Sequence, residues 1–173
     1  MKELCGSFNL NGGIAMDAKQ FIRDPNHDKP IDILLVEDDL EDVKLTFIAF
    51  EEAKVNNNFI VVNDGREALD YVYHQGNFKD KGKYPKPDLI LLDINMPKMN
   101  GFEVLKTLKG DEFYKTIPII MLTSSRNEED IIKSYHDGAV SYIPKPINFQ
   151  EFVDIAKSFH FYWTSTSRLP NKE

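Results

Sequence analysis

The sequence predicts an α/β protein: a doubly wound, five-stranded parallel sheet with five helices distributed over its two faces. Short runs of apolar residues recur along the chain, separated by stretches with helical spacing, and several of those stretches stop at a glycine. A run too short for a helix, rich in branched residues and without apolar–polar alternation, is what a parallel strand covered on both sides needs. Repeated alternation of such runs with helices builds a parallel sheet with right-handed crossovers.

The elements follow in order. "ILLV" at 33–36 is the first strand, and "LEDVKLTFIAFEEAK" after it places Leu40, Val43, Phe47 and Phe50 on one stripe of a helix. "FIVV" at 59–62 is the second strand, followed by a helix over 66–76 that ends at Gly76. "LILL" at 89–92 leads to a helix over 101–110, "IPIIML" at 117–122 to a helix over 127–138, and the weaker "AVSYI" at 139–143 to a last helix over 148–163. In that last helix Phe149, Phe152, Val153, Ala156, Phe159 and Trp163 form the stripe that faces the sheet, while Ile155 and Tyr162 widen it sideways.

Two segments fall outside the pattern. Residues 1–29 are polar, contain "NGG" and "DPNHDKP" and show no sustained period, so they read as a flexible or loosely docked extension before a domain spanning 30–165, with a tail at 166–173. The stretch "GNFKDKGKYPKPD" (76–88) exceeds an ordinary connection. Its Lys79, Lys81, Lys83 and Lys86 fit a solvated loop, with contact to a partner as the alternative.

Bulk properties narrow the class. The 173 residues suit one domain with a short appendage. A formal charge of -7, from 28 acids against 21 bases, argues against nucleic acid, whose affinity comes from neutralising phosphates. Cys5 is the sole cysteine, so no internal disulfide forms, and a reducing compartment is expected. The first thirty residues show no secretory pattern and no apolar run is long enough to cross a bilayer, so the cytoplasm is the expected location, without a membrane partner.

Function is expected at the strand tips, because ligands of open α/β sheets bind beyond the carboxyl ends of the strands. The first strand delivers Glu37, Asp38 and Asp39; the third ends at Asp93; the fourth ends at Thr123, Ser124 and Ser125; the fifth leads to Lys145. Converging carboxylates repel one another unless a cation joins them. Oxygen-only ligands point to a hard ion, and Mg²⁺ fits best because it completes its shell with waters and phosphate oxygens. An ammonium, a hydroxyl and backbone N–H groups at the same edge are what a phosphoryl group needs during transfer. A carboxylate can itself be the nucleophile, and Asp93 is placed to become an aspartyl-phosphate. Acids just inside a helix start also favour its dipole, which is the role expected of Asp39, Glu41 or Asp42.

From about residue 31 to 163 the chain resembles the receiver domain of bacterial two-component response regulators. The matching pieces are "ILLVEDD", "LILLDINMPKMNGFEVL", "IPIIMLTSS" and "SYIPKP", in that order. The resemblance implies a flavodoxin-like sheet with strand order 2-1-3-4-5. It further implies that Asp93 accepts a phosphoryl group from a phosphohistidine on a sensor histidine kinase. Asp38 and Asp93 would bind Mg²⁺ directly, joined by the backbone carbonyl of Asn95, with Glu37 acting through a water. Thr123 would bond a phosphoryl oxygen, Lys145 would pair with phosphate and Asp93, and the Lys145–Pro146 bond would be cis. Tyr142 matches the aromatic that turns inward when the threonine moves, and Asn95, Ser124 and Ser125 would tune the lifetime of the phosphorylated state. Two departures stand out: Glu37-Asp38 replaces the commoner pair of aspartates, which leaves Asp39 a possible share of the metal, and no output domain follows the fifth helix. Together with the basic loop, the latter resembles stand-alone regulators that partner bacteriophytochrome-type and hybrid kinases. Output would then be protein–protein contact through helix 4, strand 5 and helix 5, with Ile155 and Tyr162 on a homodimer face. Two competitors remain: an unphosphorylated receiver-like scaffold, and a Mg²⁺-dependent phosphatase of the haloacid dehalogenase type. The latter wants a second acid two residues after the nucleophile, where this chain has Asn95.

Overall fold

The computed structural model describes residues 30–123, 127–145 and 148–161. Ten principal elements alternate along them: β1 (Ile31–Val36), α1 (Leu40–Glu52), β2 (Asn57–Val62), α2 (Gly65–Val72), β3 (Leu89–Asp93), α3 (Gly101–Lys109), β4 (Ile119–Thr123), α4 (Glu128–His136), β5 (Ser141–Pro144) and α5 (Phe149–Phe161). The five strands form one sheet in the order β2-β1-β3-β4-β5, every pair parallel. The fold and strand order expected from the sequence are those found.

The central strands are buried on both faces: every residue of β3 is buried, and β1 departs from this only at Asp32. Two apolar clusters flank them. One gathers Leu34, Val36, Ile90 and Leu92 with α2 and α3; the other gathers Ile33, Leu35, Leu89 and Leu91 with α1 and α5. Successive strand residues point to opposite faces, so the uninterrupted apolar runs feed both clusters. Strand β2 differs: as the sheet's edge strand it is mostly half-buried.

Local chemistry sets the helix starts. Asp39, Asp64, Asn100 and Asn127 cap α1, α2, α3 and α4, each accepting a backbone N–H of the first turn. Asn100 and Glu103 form a reciprocal capping box. The helices depart from expectation in three places. Helix α2 stops at Val72, short of Gly76, where His74 takes a left-handed φ of 53° and a short 3-10 turn follows at Gly76–Phe78. In α1 the buried stripe is Val43, Thr46, Ala49 and Phe50, whereas Leu40 and Phe47 lie exposed at its margin. Thr46 can turn inward because its hydroxyl donates to the Asp42 carbonyl at 2.9 Å. Helix α5 buries Phe152, Val153 and Ala156 as expected, but Phe149 at its start is exposed.

The lysine-bearing segment before β3 is anchored, not simply solvated. Tyr71, Phe78 and Tyr84 pack edge to face, and the Tyr71 hydroxyl donates to the Pro85 carbonyl at 2.7 Å. Burial first, then the charges of Asp32 and Asp88, pushes the Tyr71 phenol up to about 12, so it remains a donor. Lys79, Lys81, Lys83 and Lys86 stay exposed on the outside of this aromatic cluster.

Candidate functional site

Register explains how distant residues meet. The last paired residues of β1 and β3 are Val36 and Leu92, so one step onward along both strands brings Glu37 and Asp93 side by side. Asp93 pairs with Leu122 across β3 and β4, and Thr123 pairs with Pro144 across β4 and β5, which leaves Lys145 just past the tip. Four strand ends therefore deliver acids, a threonine and an amine to one edge.

Glu37, Asp38 and Asp93 each offer a carboxylate oxygen, and these oxygens lie within 4.8 Å of one another. Glu37 and Asp93 are buried, while Asp38 is exposed. Lys145 reaches into the group. Its ammonium donates to Glu37 and to Asp42 Oδ2 at 2.7 Å, and stands 3.6 Å from Asp93 Oδ1. The Asp93 carboxylate also accepts the backbone N–H of Ile94 at 2.8 Å and that of Asn95. Burial is the leading influence on both inner acids. It pushes Glu37 up to about 6, against the hydrogen bond from Lys145, and it raises Asp93 above the usual carboxylate range against the same ammonium. For Lys145 burial acts in the lowering direction, but the hydrogen bonds to Asp42 and Glu37 outweigh it and hold the amine above its ordinary value.

These groups are undercompensated. Three carboxylates face one nearby ammonium, already shared with Asp42, and two of them are held toward protonation by burial. A hard divalent cation fits this oxygen donor set, to which Glu37, Asp38 and Asp93 each turn a carboxylate oxygen. Asp39 stands apart: its Oδ1 accepts the Glu41 N–H at 2.7 Å, so this third acid serves as the α1 cap.

The loop after Asp93 is held at close quarters. Gly101 N donates to the Ile94 carbonyl at 3.0 Å, and a Cβ on Gly101 would meet the Asp93 carbonyl oxygen at 2.2 Å. Lys98, at φ 64°, extends to the buried Asp64 carboxylate at 2.5 Å. That ion pair ties the loop beside Asp93 to the start of α2. Sequence reasoning missed it, because residues 64 and 98 carry no pattern that pairs them.

Asp42 was missed for another reason: an acid in a first helical turn is fully accounted for by the dipole, and nothing in the sequence aims it at Lys145. Tyr142 is buried at 9% exposure in the cluster that contains Met121 and Ala139. The side chain of Thr123 and the expectations for Ser124, Ser125, Pro146 and Tyr162 lie outside the described residues. Ile155 is half-buried against the α1–α5 cluster.

The sequence matches the response regulator receiver domain family over residues 33–157. The chain belongs to that family. Among curated relatives, the receiver chain is 35% identical to response regulator Rcp1 of Synechocystis over 138 residues, covering 80% of this chain and 92% of Rcp1. Among solved structures it is similar to the phosphorylated cyanobacterial phytochrome response regulator RcpA, at 38% identity and TM-score 0.72, over 82% of this chain and 99% of that one. The Mn²⁺-bound form of Rcp1 is similar at 35% identity and TM-score 0.71, again over 82% of this chain and 99% of that one. Receiver domains of this family are signalling proteins. No helix among the described residues of this one is long and apolar enough to cross a membrane.

Proposed function

We propose that the protein is a phosphoacceptor response regulator in which Asp93 takes a phosphoryl group from a phosphohistidine of a sensor histidine kinase. The observation that carries this reading is the meeting of Glu37, Asp38, Asp93 and Lys145 at one strand edge. In the transfer, an Asp93 carboxylate oxygen attacks phosphorus and a new O–P bond forms. The N–P bond of the phosphohistidine breaks and its electron pair returns to the imidazole. Hydrolysis discharges the site: water attacks phosphorus, the O–P bond to Asp93 breaks with its electron pair returning to the carboxylate, and inorganic phosphate and a proton are released.

Each residue has a part. The ammonium of Lys145 offsets charge on Asp93 and on the arriving phosphoryl oxygens. The backbone N–H groups of Ile94, which donates to Oδ1, and of Asn95 orient the Asp93 carboxylate for attack. Asp38, Asp93 and the Asn95 carbonyl would hold Mg²⁺ directly, and Glu37 would act on it through a water. Mg²⁺, when bound, supplies the positive charge that lets acids and phosphate share the pocket. Thr123 bonds a phosphoryl oxygen, Tyr142 follows its movement, and Asn95, Ser124 and Ser125 tune hydrolysis. Small donors such as acetyl phosphate phosphorylate the protein directly, and the phosphorylated form hydrolyses itself.

The likeness to RcpA, a phytochrome response regulator by its name, supports a phytochrome-like or hybrid kinase as the partner. Signalling proceeds in the cytoplasm through protein contacts on the α4–β5–α5 face. Exposed Ile132, Tyr135 and Val140 give that face its apolar surface, which supports a homodimer there, with Ile155 and Tyr162 of the last helix as further candidate contacts. Residues 30–165 form the receiver unit, between an N-terminal extension (1–29) and a C-terminal tail (166–173). The deciding experiment is intact mass measurement after incubation with Mg²⁺ and acetyl phosphate. One base-labile phosphoryl is expected on the wild type and none on Asp93→Asn. Equal labelling of the variant would refute the assignment.

A further inference from the structure

Lys145 carries three N–H donors and faces three carboxylates. Its contacts to Glu37 and Asp42 are hydrogen bonds, whereas Asp93 stands at 3.6 Å. Asp42 belongs to none of the expected roles at the pocket. It sits in the first turn of α1, outside the Glu37–Asp38–Asp93 group that fits a cation, and its side chain is 38% exposed where that of Lys145 is 13%. The bond to Asp42 at 2.7 Å takes one of the three donors and pulls the ammonium toward α1, so a shift from 3.6 Å toward a phosphoryl oxygen on Asp93 works against that bond.

We propose that Asp42 is a positioning residue that restrains Lys145 in the resting site, so that drawing the ammonium toward a phosphoryl group on Asp93 works against its bond to the first turn of α1. This rests on the reading of Asp93 as phosphoacceptor. Two effects act in one direction. Asp42 competes for the lysine, and its own negative charge repels an anion held there. Asp42 thereby sets the threshold at which the site fills, and it couples that filling to α1, since the same residue's carbonyl accepts the Thr46 hydroxyl within the helix.

The test measures binding of beryllofluoride, a tetrahedral phosphoryl mimic, by wild type, Asp42→Asn and Glu41→Gln at saturating Mg²⁺. Glu41 is a first-turn acid on the same helix, so its substitution removes the same charge and the same dipole contribution. We expect Asp42→Asn to bind beryllofluoride roughly two- to fivefold more tightly, the range for an ion pair partly open to solvent, and Glu41→Gln to stay near wild type. Asp42→Glu, which restores a carboxylate, brings the affinity back toward the wild-type value. Equal shifts in Asp42→Asn and Glu41→Gln would reduce the effect to general charge and overturn the restraint, as would unchanged or weaker binding in Asp42→Asn. Wild type that binds no beryllofluoride and takes no phosphoryl would instead refute the phosphoacceptor reading itself. Thermal unfolding of each variant shows that the compared proteins are folded.

Discussion

The roles of single residues follow from what surrounds them, and Glu37 shows how. It is 2% exposed beside Asp93, and burial places its pKa at about 6 against an ordinary value of 4.5. Between those values the folded protein holds a proton that the unfolded chain has released, so stability falls as pH rises across the window. The loss amounts to roughly 1–2 kcal/mol, since a tenfold change in proton affinity is worth about 1.4 kcal/mol. Urea unfolding of chelator-treated protein between pH 4.5 and 6.5 should show this slope, and Glu37→Gln should lack it. Identical slopes in the two proteins would mean that Glu37 titrates normally. Asp93 and Lys145 were legible in the sequence because each stands at the end of an apolar run, where a charged side chain needs an explanation. Asp42 and the Asp64–Lys98 pair were not, because contacts between surface-patterned residues distant in sequence leave no periodic trace.

At the scale of elements, the strands and helices were legible from hydrophobic period, and their boundaries less so. Glycine was read as the stop of α2, yet His74 accepts the left-handed turn and ends the helix earlier. The buried face of α1 was misjudged because Thr46, a polar residue, satisfies its hydroxyl within the helix and turns inward, leaving Leu40 and Phe47 at the margin. The joint between β3 and α3 is the tightest point near the site. Gly101→Ala would put a methyl 2.2 Å from the Asp93 carbonyl oxygen, a clash with backbone that no rotamer relieves. We predict a loss of about 3 kcal/mol, the upper part of the usual range for overpacking, read as a lowered unfolding midpoint. A midpoint like that of wild type would show that strand and helix can part without cost. Further from the site, Leu91→Ala in the fully buried middle of β3 should cost roughly 2–5 kcal/mol and leave phosphorylation of the folded fraction intact.

For the whole molecule, the parallel order β2-β1-β3-β4-β5 is what turns a linear pattern into a pocket. With β1 and β3 adjacent at the centre, Glu37 and Asp93 must be neighbours, and β4 and β5 bring Thr123 and Lys145 from one side. The opposite consequence falls on the α4–β5 side, where Ile132, Tyr135 and Val140 remain exposed. Sedimentation at increasing concentration, with and without beryllofluoride, should show a dimer favoured by the mimic and abolished by Ile132→Glu. A monomer under all these conditions would rule out the dimer and leave the phosphoacceptor chemistry untouched. That chemistry is tested most directly by a crystal structure of the protein with Mg²⁺ and beryllofluoride. The ion is expected against Asp38, Asp93 and the Asn95 carbonyl, with the beryllium on an Asp93 oxygen and a fluoride within hydrogen-bond reach of Lys145. An ion bound elsewhere, or beryllofluoride absent from Asp93 at saturating concentration, would contradict the assignment of Asp93 as phosphoacceptor.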